Sequence, residues 1–138
     1  MCFLGVDIGG TSVRSLVTDA GGKILGYQRI ARVSHESLWQ AINDCLGAVL
    51  AQSSVVHVEA AVVGAAGAGP AGNQYVCRSV EKAFGAVGLD VTPQVVTDIE
   101  IAYWSAAALG DGSILVAGTG AIAGRFSEWR CVDRRDGA

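Results

Sequence analysis

The chain has 138 residues, a net charge of −3 and 51% hydrophobic residues, whereas only 17% of its residues are charged. This composition excludes intrinsic disorder, which requires low hydrophobicity and high charge. The acidic balance argues against nucleic-acid binding, and no apolar run approaches the roughly 20 residues of a membrane span. Because no basic segment precedes an apolar signal core at the amino terminus, we expect a cytoplasmic protein of one ordinary domain.

The cysteine pattern predicts reduced thiols. The four cysteines are far apart in the sequence, at Cys2, Cys45, Cys77 and Cys131. A disulfide framework would be denser, and a zinc site would show paired spacing. We therefore expect these side chains to act as small hydrophobic groups.

The first part of the chain predicts three strands joined by tight turns, at residues 2–8, 11–18 and 24–32. In the second of these, Val13 and Val17 alternate with polar residues, which is typical of a half-buried strand. Between the second and third strands, the sequence Asp-Ala-Gly-Gly is typical of a turn. Three strands connected in this way predict an antiparallel meander.

Helices and strands then alternate. Leu38, Ile42, Leu46 and Val49 recur at helical spacing, and either Ser34 or Ser37 can cap this helix. The remaining predicted elements are a strand at 57–64, a helix at 73–86, a strand at 93–97, a helix from Asp98 to about Leu109, and strands at 113–117 and 121–126.

The order βββαβαβα predicts an α/β fold of the ribonuclease-H-like type, a mixed sheet flanked by helices. The last two strands would begin a second copy of this topology. We accordingly divide the chain into an amino-terminal lobe at 1–112, a hairpin of a second lobe at 113–126 and an irregular tail at 127–138.

A glycine-rich turn follows the first predicted strand, in the segment Asp7-Ile8-Gly9-Gly10-Thr11. Glycines leave room for backbone amides to approach an anion, and Thr11 adds a hydroxyl donor. Asp7 lies where a carboxylate could hold Mg²⁺. An ordinary Gly-Gly hairpin with an exposed Asp explains the local pattern equally well.

A second turn of this kind contains Gly118, Thr119 and Gly120 between the last two predicted strands. In isolation it is typical of a tight hairpin. Two such turns, each opening a copy of one topology, instead indicate a cleft that holds the phosphates of a nucleotide from both sides.

Asp98 lies at the carboxyl end of a predicted strand and at the start of a helix. Ligands of open α/β sheets bind at this edge, and a carboxylate there can act as general base toward a substrate hydroxyl. The alternative is a helix cap, because Asp is a preferred N-cap residue. One carboxylate cannot fill both roles, so the helix start would then be shifted.

These motifs resemble the superfamily of sugar kinases, heat-shock protein 70 and actin. Within it, the chain is similar to the N-acetylglucosamine kinase and BadF/BadG/BcrA/BcrD-type ATPase family. The matching segments run from residue 3 to about 126 and are, in order, LGVDIGGTSVRSLVTDAGGKILG, VVGAAGAG, VVTDIEIA and ILVAGTGAIAGRF.

The resemblance implies the fold of an actin-like ATPase lobe and phosphoryl transfer from Mg-ATP to an amino-sugar hydroxyl. It implies that Asp98 is the catalytic base, that Asp7 holds Mg²⁺ and that Gly67 approaches the sugar, with the segment 34–35 nearby. The implied ATP phosphate-binding residues are Gly9, Gly10, Thr11, Gly118, Thr119 and Gly120.

Relatives continue beyond the second turn into a full second lobe, so the resemblance implies a truncated lobe that is inactive alone. A ROK-type glucokinase lobe is an alternative, although that family has Asn-Asp-Ala-Asn where this chain has Thr97-Asp98-Ile99-Glu100. A dehydratase-activating ATPase would need an iron–sulfur cluster, for which the scattered cysteines give no support. A non-catalytic remnant that binds a partner is the third alternative.

The hairpin at 113–126 is rich in apolar residues, and nothing later in the sequence is apolar enough to cover it. A lone hairpin is marginally stable in water, and an exposed strand edge invites pairing with another chain. We therefore expect a homodimer or larger species. We also expect weak ATP binding, because the resemblance implies that the adenosine-binding segment of relatives is absent and that only phosphate contacts would hold ATP.

Overall fold

The computed structural model describes residues 1–69, 72–106, 110–117 and 121–137. The elements, in chain order, are β1 (Cys2–Ile8), β2 (Ser12–Asp19), β3 (Ile24–Ala31), α1 (Leu38–Ser53), β4 (Ala60–Ala65), α2 (Asn73–Ala86), β5 (Gln94–Thr97), α3 (Asp98–Ala106), β6 (Gly112–Ala117), β7 (Ala121–Ser127) and β8 (Arg130–Gly137).

The first five strands form one mixed sheet in the order β3-β2-β1-β4-β5. Strands β1, β2 and β3 are antiparallel neighbours, whereas β4 and β5 run parallel to β1. The predicted ribonuclease-H-like topology is confirmed, and β1 is the central strand. The carboxyl ends of β1, β4 and β5 consequently meet at one edge of the sheet.

Helices α1 and α2 cover one face of this sheet and form the main core with it. Alternate side chains of β1 point into this core, because successive residues of a strand face opposite sides. The core combines apolar side chains of β1, β2 and β4 with the inner faces of both helices, including Leu4, Val6, Ile8, Val13, Val17, Ile42, Leu46, Val49, Val63, Val80 and Phe84.

Helix α3 packs on the opposite face of the sheet, over β4. Gly64 allows this approach: a side chain at this position would collide with Ile101 of α3. Gly64 lies beside Asp7 of β1 in the parallel register. The missing side chain at residue 64 therefore brings α3 against the centre of the sheet.

Most predicted boundaries agree with the structure to within one or two residues. Ser37 begins α1, where the Gln40 side chain accepts hydrogen bonds from the Ser37 amide and hydroxyl. The fourth strand begins at Ala60 rather than at residue 57, because His57 is exposed and ladder pairing with β1 starts at Ala60. Residues 107–109, predicted to end the third helix, lie outside the described part of the chain.

The last three strands form a second, antiparallel sheet in the order β6-β7-β8. The expectation of an irregular tail at 127–138 is wrong, because Arg130–Gly137 pairs with β7. Strand β8 carries four consecutive charged residues, at 133–136, and shows no apolar periodicity, which an exposed edge strand does not require. Glu128 and Trp129 adopt positive φ values of 49° and 70° in the turn that leads into β8.

The second sheet docks onto α3 through a small apolar cluster. Tyr103 and Phe126 stack with their ring centroids 4.0 Å apart, and Ile99 packs in the same cluster. Gly124 permits this contact, since an added Cβ would lie 2.8 Å from Ile99 Cδ1. The expected lack of cover for the hairpin is therefore wrong for Phe126, which α3 buries, whereas Leu115 is 71% exposed.

The cysteines carry no disulfide within the described residues. Cys45 is completely buried between α1 and β2, where the Ser15 hydroxyl donates to its carbonyl oxygen at 3.2 Å. Burial raises the pKa of the Cys45 thiol. This side chain is thus a neutral part of the core, as the sequence predicts. In the described part of the chain, no helix combines the length and the apolar character that a membrane crossing requires.

Phe126→Ala tests the attachment of the second sheet. Truncating a buried Phe lowers the free energy of unfolding by about 3–5 kcal/mol. Here the lost contacts are those of Phe126 with Tyr103 and Ile99. We expect amide hydrogen exchange to accelerate in β6–β8, with smaller changes in β1–β5. Phe3→Ala, at a partly exposed ring on β1, is the control. Uniform acceleration across both sheets would contradict this separation.

Candidate functional site

Two carboxylates that the sequence analysis singled out line one cavity. Asp7 of β1 and Asp98 of α3 both lie on the wall of a space of about 440 Å³. Its remaining lining comes from α3 and from two residues of the second sheet: Ile99, Ile101, Ala102, Ser105, Val116 and Ile122. The structure thus brings Asp7 and Asp98 to the same cavity, and a volume of this size suits a small-molecule ligand.

Asp98 is free of the capping role because its neighbours perform it. Thr97 donates from its backbone amide to Glu100 Oε2 at 3.0 Å, and the Glu100 amide donates to Thr97 Oγ1 at 3.3 Å. This reciprocal pair is a capping box with Thr97 as the cap. Asp98 accepts a hydrogen bond from the Ile99 amide on Oδ1. The cap is thus Thr97, one residue earlier than a cap at Asp98 would be. The half-buried Asp98 therefore lies in the first turn of α3 and on the cavity wall.

The capping carboxylate lies near the second sheet. Burial raises the pKa of the Cys131 thiol on β8, and the negative charge of Glu100 raises it further. Glu100 and Asp98 also occupy the first turn of α3, where the helix dipole favours negative charge. The amino end of α3 therefore carries two acidic groups, of which Asp98 lines the cavity.

The turn at Gly9, Gly10 and Thr11 connects β1 to β2 directly after Asp7. The Gly9 amide donates to the Ser12 carbonyl oxygen at 2.9 Å, so this amide closes the turn. Among the described residues, none accepts a hydrogen bond from the amides of Gly10 or Thr11. The turn therefore offers two amides to an anion rather than all three, and it does not line the cavity of Asp7 and Asp98.

Two arginines beside these residues were missed by the sequence analysis. Arg32 donates from its backbone amide to the Thr11 carbonyl oxygen at 2.8 Å and from Nη1 to the Gly9 carbonyl oxygen at 3.2 Å. Arg14 lies opposite Asp7 in the antiparallel register. The sequence holds no signal for Arg32, because 23 residues separate it from Gly9.

Gly67 lies in the loop after β4 with a φ of +86°, a backbone conformation that favours glycine. The preceding residue, Ala66, donates its amide to the Ile8 carbonyl oxygen at 3.0 Å. This loop therefore lies beside the end of β1. Gly67 is not among the described residues that line the cavity, and its role toward a sugar stays a prediction.

The second predicted phosphate turn, Gly118, Thr119 and Gly120, lies outside the described residues. The flanking strands β6 and β7 are antiparallel neighbours, with Ala117 paired to Ala121. Val116 and Ile122 line the cavity from this side. Strands β6 and β7 therefore reach the cavity of Asp7 and Asp98 through Val116 and Ile122.

The oxygen donors of the cavity fit Mg²⁺. This ion uses one or two protein carboxylates together with substrate phosphates and water, and Asp7 supplies one carboxylate to the cavity. Within the described ranges, no group of three or more His, Cys, Asp or Glu side chains could hold a metal ion. The site therefore suits an ion that arrives with a phosphorylated ligand.

Comparison with solved structures identifies the fold. A proposed N-acetylglucosamine kinase from Porphyromonas gingivalis superimposes with a TM-score of 0.75 at 18% identity, covering 96% of this chain and 47% of that chain. A ROK hexokinase from Thermus thermophilus gives 0.72 at 19% identity, with coverages of 99% and 50%. The fold is that of the actin-like sugar kinases.

A ROK family glucokinase from Streptomyces griseus, solved with glucose and AMPPNP, matches with a TM-score of 0.65 at 28% identity. The match covers 100% of this chain and 48% of that chain. The protein therefore spans about half the length of these structures. No protein-family model matches the sequence, and a search of curated proteins finds no match.

Glu100→Ala tests the capping box. Loss of a cap costs about 0.5–2 kcal/mol, and the loss of Glu100 also leaves the Thr97 amide without its acceptor. We expect a lower free energy of unfolding in urea, with faster hydrogen exchange at the start of α3. Glu81→Ala, at an exposed position on α2, is the matched control. Equal stability of both variants would show that Thr97 caps α3 without help.

Proposed function

We propose that this chain is the amino-terminal lobe of an ATP-dependent sugar kinase that acts in the cytoplasm. The observation that supports this most directly is the placement of Asp7 and Asp98 on one cavity wall, next to a Gly-Gly-Thr turn in an actin-like lobe. The reaction is transfer of the γ-phosphoryl group from Mg-ATP to a sugar hydroxyl. Phosphoryl transfer depends mainly on positioning and charge neutralisation, which a small set of polar groups can provide.

In this proposal Asp98 is the general base. Its carboxylate would accept the proton of the sugar hydroxyl that attacks the γ-phosphorus. The capping box of Thr97 and Glu100 leaves Asp98 available for this task and holds the first turn of α3 in place. The partly apolar wall around it, including Ile101 and Val116, would limit access of water to the reacting hydroxyl.

Asp7 and the two turns would hold the nucleotide. The amides of Gly10 and Thr11 face no acceptor within the described structure, so they are available to phosphate oxygens. Gly9 serves this turn by closing it. Gly118, Thr119 and Gly120 would bind phosphate from the second sheet. Mg²⁺, bound with the nucleotide near Asp7, would supply positive charge that neutralises the phosphates.

For the sugar we propose an amino sugar, with the chain assigned to the N-acetylglucosamine kinase and BadF-type group. The support is the segment Thr97-Asp98-Ile99-Glu100, which departs from the ROK pattern Asn-Asp-Ala-Asn. A ROK-type glucokinase is the second candidate, favoured by the 28% identity to the Streptomyces griseus enzyme. Gly67 is the proposed sugar-side residue of the loop after β4.

The proposal is tested by nuclear magnetic resonance of the ¹⁵N-labelled chain. Titration with N-acetylglucosamine should shift amide resonances near Asp98 and Gly67 more than glucose does. Titration with Mg-AMPPNP should shift those of Gly10 and Thr11. We expect weak affinities, because the chain spans only about half the length of the similar kinases. If neither ligand shifts these resonances at millimolar concentration, the proposed function is wrong.

Asp98→Asn tests the base in a two-lobe protein that carries this chain. We expect phosphoryl transfer to fall by about 10²–10⁴-fold, the usual contribution of a general base, while nucleotide affinity is retained. Asp7→Asn should instead raise the Mg²⁺ concentration needed for half-maximal rate. Asp90→Asn, at an exposed position, is the control. Unchanged turnover of Asp98→Asn would remove this residue from the mechanism.

We also propose that the chain self-associates through β6. This strand lies at an edge of the second sheet, and Leu115 and Val116 on it are 71% and 42% exposed. Unpaired edge strands with apolar side chains favour pairing between molecules. A non-catalytic, partner-binding lobe would also associate through β6. Such a lobe would differ in showing no shifts of its amide resonances when the sugar or Mg-AMPPNP is added.

Leu115→Lys tests this association. A charge on the edge strand opposes edge-to-edge pairing, so we expect light scattering to show a smaller species than the unmodified chain. Val56→Lys, at a residue that is 91% exposed outside any strand, is the control. A monomeric unmodified chain would show that β6 does not pair between molecules.

A further inference from the structure

Arg32 is attached to the Gly9–Thr11 turn at two points. Its backbone amide and its guanidinium Nη1 donate to carbonyl oxygens at the two ends of this turn, Thr11 and Gly9 respectively. The first bond fixes the end of β3 against the turn, and the second fixes the direction of the side chain. Arg32 is therefore held where the turn presents its remaining amides.

The charge of Arg32 has no carboxylate partner. Within the described ranges, no Asp or Glu forms an ion pair with it, although the residue is half-buried. A partly buried charge without a partner is unfavourable. The charge of Arg32 lowers the pKa of Glu36, but the hydrogen bond between Glu36 and Asp44 has the larger effect and raises this pKa.

The guanidinium group has donors to spare. It carries five N–H donors in a rigid plane, and the described contacts use one nitrogen, Nη1, to reach Gly9. The free amides of Gly10 and Thr11 lie in the same turn. A phosphate group is tetrahedral and carries several negatively charged oxygens. Two backbone amides and a planar cation can donate hydrogen bonds to these oxygens together, and Arg binds them through paired N–H donors.

We propose that Arg32 is a phosphate-binding residue, which completes an anion site with the amides of Gly10 and Thr11. The ligand class is a polyphosphate chain, either that of a nucleoside triphosphate or an inorganic one. This inference rests on the proposed function, because it assigns a further contact to the nucleotide of that reaction. Its contribution is a full positive charge at a turn that otherwise offers only dipoles.

Two variants of Arg32 distinguish phosphate binding from a purely structural role, in which the side chain only holds the Gly9 carbonyl oxygen. Arg32→Gln retains a hydrogen-bond donor for the Gly9 carbonyl oxygen but carries no charge. Arg32→Lys retains the charge but presents it as a single ammonium without the planar pair of donors. A purely structural role predicts that the Gln variant binds phosphate as tightly as the unmodified chain. A phosphate contact predicts the order Arg, then Lys, then Gln.

The measurement is isothermal titration calorimetry of the 138-residue chain with sodium tripolyphosphate. We expect Arg32→Gln to bind at least about tenfold more weakly than the unmodified chain, the scale of one charge-assisted hydrogen-bond pair. Arg32→Lys should bind with intermediate affinity. Arg78→Gln, an exposed arginine on α2, should match the unmodified chain. Circular dichroism and the unfolding midpoint check that each variant is folded.

The outcomes distinguish the two proposals. If the unmodified chain binds tripolyphosphate and Arg32→Gln binds equally well, the inference about Arg32 is wrong and the proposed function stands. If the unmodified chain binds neither tripolyphosphate nor Mg-AMPPNP, the proposed function fails and the Arg32 inference with it. Should Arg78→Gln lose as much affinity as Arg32→Gln, the effect is one of net charge, which also overturns the inference.

Discussion

The close contact between Gly64 and Ile101 determines where the candidate site can form. Gly64 lies beside Asp7 in the register of β1 and β4, and its missing side chain leaves the space that Ile101 occupies. Because α3 begins at Asp98, this approach brings Asp98 to the same wall as Asp7. A larger residue at position 64 would push α3 away and separate the two carboxylates. The acidic pair thus depends on an apolar contact.

Helix α3 is also the support of the second sheet. Ile101 packs on the first sheet, whereas Ile99 and Tyr103 pack against Phe126 of β7. A second glycine, Gly124, allows this contact just as Gly64 allows the first. Asp98 at the start of the helix consequently lies between two sheets, and the cavity is bounded by both. The nine residues of α3 that the structure describes, Asp98–Ala106, therefore set the spacing between the two halves of the site.

The polar arrangement at the edge of the first sheet follows a division of tasks. Thr97 and Glu100 satisfy the start of α3, so that Asp98 does not have to. Gly9 closes the turn between β1 and β2, so that the Gly10 and Thr11 amides stay available. Arg32 secures this turn from the adjacent strand β3. The amides of Gly10 and Thr11 therefore have no acceptor among the described residues, whereas Asp98 accepts a hydrogen bond from the Ile99 amide on Oδ1.

The strand order and the core could be predicted because they depend on local periodicity. Alternation in β2 and helical spacing at Leu38, Ile42 and Leu46 are properties of adjacent residues, and short connections restrict the topology to few possibilities. The meeting of Asp7 and Asp98 followed from the same rule, since both lie at carboxyl ends of strands in one sheet. The sequence analysis missed β8, because this strand is held by backbone hydrogen bonds to β7 and its side chains show no apolar pattern.

What the sequence by itself determined is therefore the order of elements, the buried faces and the positions of the two carboxylates and the first glycine turn. Tertiary structure alone decided which amides of the first turn remain free, which residues cap α3 and that Arg32 reaches Gly9. These features depend on contacts between residues far apart in the chain, whose geometry no local pattern encodes. A hydrogen bond across 23 residues requires the end of β3 to lie beside the turn before β2, so its existence is a property of the fold.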